Sequence, residues 1–255
     1  MNTDHLTDIG DRLLGTQPHP PAWLAVVTAL VALAAVAPHG VWRVSRNAVT
    51  IAHEGGHALV ALLSGRRLDG IRLHSDTSGL TVSRGRAHGP GMVLTAAAGY
   101  VTPSLLGLGG AWLLAAGHTT LLLWGATVLL LAMLVMIRNA YGVLTVVVSG
   151  GAFLAVSWLT TAHVQAVFAY AVVWFLLLGG VRPPFELRRT RRRAARRSPL
   201  AHLPGGHRAA RPAGGDSDAD QLARLTRMPA AVWLAFFHLV TLCCLLGGGR
   251  WLLGL

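Results

Sequence analysis

Apolar runs follow one another along this chain at about 22–38, 47–63, 91–116, 119–137, 141–158, 163–180 and 229–254. Each approaches the ~20 residues that an α-helix needs to cross a bilayer, the first two being short. The pattern predicts an α-helical polytopic membrane protein with about seven transmembrane helices. Two small-residue patches, Gly107-Leu108-Gly109-Gly110 and Ser149-Gly150-Gly151, predict close helix contacts. Pro103 falls inside the third run and predicts a kink or break there.

Between the second and third runs the period changes. Leu68, Ile71 and Leu73, then Leu80 and Val82, interleave with polar residues, and Ser75-Asp76-Thr77-Ser78-Gly79 between them is turn chemistry. A small cytoplasmic β-hairpin over 68–84 is expected, directly after a helix at 47–64. Residues 188–216 are rich in Arg, Ala, Pro and Gly and read as disordered. They suit contact with anionic headgroups, or simply a solvated loop. The chain therefore divides into an N-terminal segment (1–21), a membrane domain (22–181), a basic loop (182–216) and an acidic motif with the last transmembrane helix (217–255).

Composition supports a membrane protein: 53% of the 255 residues are hydrophobic and 13% charged, with mean hydropathy +0.52. The net charge of +12 invites a nucleic-acid reading, but every basic residue is Arg and most lie in loops between apolar runs. That is the placement the positive-inside rule produces, and no nucleic-acid partner is expected. Arg188, Arg189, Arg191, Arg192, Arg193, Arg196 and Arg197 put the loop 182–228 in the cytoplasm. Counting helices back places Arg138 and then Arg66, Arg67, Arg72, Arg84 and Arg86 on the same side. Arg43 and Arg46 fall outside, and the N-terminus is cytoplasmic. Asp4, Asp8 and Asp11 precede the first run, which lacks the basic start of a signal peptide, and Pro38 directly after Ala35-Val36-Ala37 argues against cleavage. Cys243 and Cys244 are adjacent in the last run and read as buried small apolar residues. The richness in Ala, Gly and Leu suggests a GC-rich bacterial genome, and with the arginine placement a bacterial plasma membrane is expected.

One stretch carries chemistry. His53-Glu54-Gly55-Gly56-His57 reads H-E-x-x-H inside the second run. Two His at i and i+4 share a helix face and can bind one Zn²⁺, with the intervening Glu as general base toward a water. An ionisable cluster in a membrane-length segment is a functional-site hypothesis by default. The chain has 12 His but only two Glu, Glu54 and Glu186, so the pattern is unlike its background. Gly55 and Gly56 each cost about 1 kcal/mol in a helix interior relative to Ala. Close helix packing or backbone access for a substrate would explain them.

Two His leave a zinc site short of a ligand. Asp216-Ser217-Asp218-Ala219-Asp220 offers acids, with Ser217 placed to cap a helix running through Leu222 and Leu225 toward Pro229. Asp218 and Asp220 either reach the metal or complement the helix dipole. His163 and His238 are other candidates, with a hydrogen bond to a neighbouring helix as the ordinary role for such a His.

The His53–His57 helix and the hairpin after it resemble the site-2 protease family of intramembrane zinc metalloproteases, most nearly a compact bacterial branch. Ala98-Gly99-Tyr100, Arg138-Asn139 with Gly142, and Ser217-Asp218-Ala219 followed by Leu222, Thr226, Pro229 and Trp233 extend the resemblance over roughly 47–250. It implies one Zn²⁺ per chain with His53 and His57 as ligands, Glu54 as catalytic base and an Asp as third ligand. Asp218 is the position that matches, with Asp220 as the alternative. Better-known members carry that Asp in a Leu-Asp-Gly or Asn-Pro-Asp-Gly context near a membrane helix. Here Leu68-Asp69-Gly70 lies in the hairpin instead, and Asp69 reads as a decoy. Arg224 and Arg227 after Asp218 place the metal toward the cytoplasmic side, where His57 lies about 9 Å along the helix from Leu63.

The resemblance also implies a membrane-anchored protein as substrate, held as an extended strand beside the hairpin. Asn139 would bond that strand or the oxyanion, or else cap a helix. Two other classes compete: a non-catalytic metal-binding scaffold or regulator, and a small transporter. The chain shows no inverted repeat, which counts against transport. The complete His-Glu-His set counts against a dead scaffold. The sequence carries no signal of oligomeric state.

Overall fold

The structure, a computed structural model, describes residues 15–18, 20–197 and 217–255. Helices dominate. In chain order they are α1 (Ala22–Val36), α2 (His39–Leu63), α3 (Pro90–Ala115), α4 (Thr119–Met136), α5 (Ala140–Leu159), α6 (Ala162–Arg197), α7 (Asp218–Thr226) and α8 (Ala230–Leu253). A hairpin of β1 (Arg67–Leu73) and β2 (Gly79–Arg84) separates α2 from α3. Its strands pair antiparallel, with a bulge between Leu68 and Gly70.

Among the described residues five helices are long and apolar enough to cross a membrane: α3, α4, α5, α6 and α8. The first two apolar runs do not form two further spans. They meet in a 104° bend and count together as one broken span or a re-entrant element. Two features cause this. At 15 residues α1 is only about 22 Å long, short of the ~30 Å hydrocarbon core. Pro38 cannot continue α1 and instead stands as the N-cap of α2. Pro103, by contrast, is accommodated inside a continuous α3.

The bundle has two distinguishable ends. Leu68, Ile71 and Leu73 of β1 seat against Met133 and Ile137, and Arg138 N–H donates to the Ile71 carbonyl (2.9 Å). The hairpin thus lies at the α4–α5 turn. Gln17 N–H donates to the Gly117 carbonyl (2.8 Å), and its side-chain amide to Thr120 (2.9 Å). Residues 15–18 therefore sit at the α3–α4 turn, at the opposite end. Counting seven spans puts the N-terminus on the hairpin's side, and the bent α1–α2 pair undoes that count. Arg46 also moves. It lies 3.7 Å from Glu186 on α6, at the hairpin end with the other loop arginines rather than apart from them.

The main core lies toward the other end, where Leu24, Ala111, Leu114, Leu123, Val173 and Leu177 are buried together. Gly107 and Gly110 of the first small-residue patch allow it: a Cβ on Gly107 would stand 2.9 Å from Leu177, and one on Gly110 2.7 Å from Val173. The second patch makes no such contact. Gly151 has nothing within 4 Å, and α5 instead exposes Leu144, Val148, Trp158 and Leu159, a face suited to lipid.

Helix α6 continues to Arg197, so residues 188–197 are helical where their composition predicts disorder. Arg and Ala are good helix formers, and extending an existing helix avoids the nucleation cost. Residues 198–216 of the expected loop, and 1–14 of the N-terminal segment, lie outside the described residues.

Candidate metal centre

Helix α2 carries His53, Glu54 and His57 without interruption, and its period puts both imidazoles on one face. Their Nε2 atoms are 3.1 Å apart. His57 is held from behind: its Nδ1 lies 2.7 Å from the Thr95 carbonyl on α3. A carbonyl only accepts, so Nδ1 carries the proton and the Nε2 lone pair is left for a ligand. His53 meets Tyr100 in a perpendicular ring contact at 5.0 Å, and Tyr100 in turn stacks on Phe237 of α8 at 5.0 Å.

The approach of α3 to α2 depends on two glycines. A Cβ on Gly99 would stand 2.3 Å from His57 Nε2 and 2.6 Å from His53 Nε2. A Cβ on Gly56 would stand 2.2 Å from the Thr102 hydroxyl. Gly56 is thus explained by helix packing. Gly55 is not, because a Cβ there meets only Met133 Sδ at 3.8 Å. Sequence reasoning cites Gly99 only as part of a resemblance; its contact with both imidazoles comes from the meeting of two helices.

The acidic segment supplies the third group. Ser217 caps α7 in a reciprocal capping box with Asp220. Ala219 and Leu222 bury against Ala96 and Phe237, seating this short helix on α3 and α8. Asp218 then faces the histidines, with Oδ2 3.3 Å from both His53 Nε2 and His57 Nε2. That oxygen is buried and has no hydrogen-bond partner. A carboxylate oxygen thus stands against two imidazole nitrogens with no hydrogen bond to account for their approach.

His53, His57 and Asp218 form the group of ligand-type side chains able to hold a metal ion among the described residues. Ligands about 2.0–2.1 Å from one tetrahedral ion stand about 3.3 Å apart, close to the three edges here. Two imidazole nitrogens and one carboxylate oxygen also make a donor set that suits Zn²⁺ and leaves a fourth position open. The residues fit the ion.

Glu54 is 4% exposed and points toward the hairpin. The Thr81 hydroxyl donates to its Oε2 (2.6 Å). Its Oε1 lies against Gly79, where a Cβ would stand 2.4 Å away. The hairpin tip is tied to the same helix by the Thr50 hydroxyl, which donates to the Thr77 carbonyl (2.9 Å). The roles of Thr81 and Gly79 escape notice in the sequence, since nothing in a strand or turn pattern marks them as partners of a residue 27 and 25 positions earlier.

The other acids have separate work. Asp220 pairs with Arg191 of α6 and closes the capping box. These contacts outweigh its partial burial and lower its pKa. Asp69 pairs with Arg84 across the hairpin (2.7 Å). Asn139 stands at the N-cap position of α5 but makes no side-chain cap. Its amide instead accepts from Leu73 N–H (3.1 Å) and donates to the Leu73 carbonyl (2.6 Å). It completes the outer edge of β1 as a further strand would. His238 bonds the Leu234 carbonyl within α8 and packs edge-on against Phe185 at 4.3 Å. His163 is exposed at the start of α6.

A family model described as Peptidase M50B-like matches residues 26–248. No curated protein and no solved structure matches the chain.

Proposed function

Because the chain belongs to the Peptidase M50B-like family, within the site-2 proteases, we propose that it is an intramembrane zinc metalloendopeptidase acting on membrane-anchored proteins. The observation that carries this reading is the convergence of Asp218 on His53 and His57, with a second buried carboxylate, Glu54, beside them. A site that only held structure would need no further acid next to it.

His53, His57 and Asp218 would hold the ion. Bound there, Zn²⁺ supplies Lewis acidity, lowering the pKa of a water beside it toward about 7 and polarising the scissile carbonyl. Glu54 would serve as the general base toward a water and then as the acid toward the leaving amine, with the Thr81 hydroxyl holding Oε2 and so fixing the carboxylate's orientation. Tyr100 and the Thr95 carbonyl hold the imidazoles in place. A transmembrane substrate must unwind before attack, since a helix hides its peptide bonds in internal hydrogen bonds. Asn139 already occupies the outer edge of β1, so the edge left for an extended substrate is that of β2, where Leu80 and Val82 are exposed. Asn139 then serves the substrate indirectly, by steadying the hairpin.

The short-loop arginines at the hairpin end support a reading in which that end is cytoplasmic, residues 15–18 lie across the membrane, and the membrane is a bacterial plasma membrane. The test has two stages. Purified wild type should hold about one zinc per chain, and His57→Ala and Asp218→Ala should hold none. In vesicles containing single-span membrane proteins, wild type should then release fragments that mass spectrometry detects. Glu54→Gln, with zinc retained, should release none. A zinc-free wild type, or equal release by Glu54→Gln, rejects the reading.

A further inference from the structure

A cavity of about 160 Å³ runs from His53 and Glu54 along α2 to Arg46, and the hairpin tip at Thr77 and Ser78 forms part of its wall. Arg46 stands seven residues before His53, about 10 Å along the helix axis. Among the described residues its guanidinium has one ion-pair partner, Glu186 at 3.7 Å, and makes no hydrogen bond. Glu186 is already committed, because Arg182 Nε donates to its other oxygen at 2.8 Å. Arg182 is held elsewhere as well, bonded to the Val36 and Ala37 carbonyls and lying 4.8 Å over the Trp42 ring. Two guanidiniums thus share one carboxylate, and the unbalanced charge is that of Arg46, on the wall of the cavity.

A guanidinium offers five N–H donors in a planar fork that matches a carboxylate. We propose that Arg46 forms a subsite for a carboxylate of the substrate, either an acidic side chain near the scissile bond or a free C-terminus. This rests on the peptidase reading of the same site. An extended peptide advances about 3.3 Å per residue, so the ~10 Å between Arg46 and the histidines places the carboxylate two or three residues from the bond that is cut. The hairpin tip lines the cavity close to Arg46, so a substrate strand running along the hairpin passes the guanidinium.

The probe is a set of peptide hydroxamates, which anchor on zinc, titrated against the zinc-loaded full chain in detergent. Members carry Glu or Gln at each of the first three positions and have amidated ends. A parallel arm carries Gln throughout with a free C-terminus two or three residues from the hydroxamate. We expect Glu at one position, or the free C-terminus, to bind about tenfold tighter than its neutral counterpart. Whichever arm shows the gain identifies the source of the carboxylate. The gain should vanish in Arg46→Gln, which keeps its zinc, and return in part in Arg46→Lys. Equal binding of charged and neutral members overturns the subsite. So does a preference that survives Arg46→Gln, or a zinc-loaded protein that binds no member. A wild type without zinc is a different failure: it removes the peptidase reading and the subsite with it.

Discussion

Replacing Gly99 by Ala should empty the metal centre while leaving the fold intact. The added methyl would stand 2.3 Å from His57 Nε2 and 2.6 Å from both His53 Nε2 and Cε1. Ordinary contact begins near 3.5 Å, so the overlap is about 1 Å on each ring. Neither ring can easily retreat. His57 is tied to the Thr95 carbonyl and buried, and His53 is backed by Tyr100 on Phe237. Relief by moving α3 would disturb its packing on α2, where Gly56 already touches Thr102. Overpacking of this kind costs about 1–3 kcal/mol and Ala gains about 1 kcal/mol in a helix interior, so stability falls by about 2 kcal/mol at most and the fold persists. Zinc binding has no such compensation. Displacing the supporting residues of a metal site costs about 10–100-fold in affinity, and a methyl placed against two of the ligands should cost at least the upper figure. The assay is zinc affinity by chelator competition on purified protein, with thermal unfolding measured in parallel. Gly109→Ala is the control, because it lies in the same helix with nothing within 4 Å. Zinc bound by Gly99→Ala with wild-type affinity would refute the placement of α3 against the histidines.

Four other outcomes follow from the same contacts. Gly55→Ala should be tolerated or slightly stabilising, whereas Gly56→Ala should lower the unfolding temperature through its clash with Thr102; equal effects would contradict this packing. Thr81→Val should keep zinc but lower turnover about tenfold or more by releasing Glu54 Oε2, and Thr81→Ser should remain near wild type; unchanged turnover in Thr81→Val would remove its positioning role. Asp220→Ala and Asp69→Ala should retain zinc at full stoichiometry, in contrast to Asp218→Ala; loss of zinc in either would mean the wrong carboxylate has been assigned. Chelation should speed amide exchange across α7, since the ion would join Asp218 to α2; exchange unaffected by zinc would show that Leu222 and Arg191 alone hold the helix.

How much was legible in the sequence differs element by element. H-E-x-x-H is a local pattern, and the helix period alone puts His53 and His57 on one face. The alternation of Leu68, Ile71 and Leu73 and the turn residues after them are equally local, and a hairpin stands there. Ser217 as a cap follows from its own chemistry and is found. The number of spans was not legible, because length and hydropathy cannot distinguish a 15-residue helix bent at Pro38 from a short span. Nor was the helical extension of α6, whose Arg-rich composition reads equally as a solvated loop.

The sequence by itself determined a helical membrane protein with two histidines at metal-ligand spacing and an acid between them, since those properties live in residue types and in spacings of one helical turn. Only the tertiary structure decided that Asp218 rather than Asp220 or Asp69 meets them, that Gly99 must lack a side chain, that Thr81 holds Glu54 and that Asn139 closes β1. Each of those depends on two elements far apart in the chain coming within 4 Å. Such contacts are set by the packing of whole helices and leave no periodic mark in the sequence around either partner.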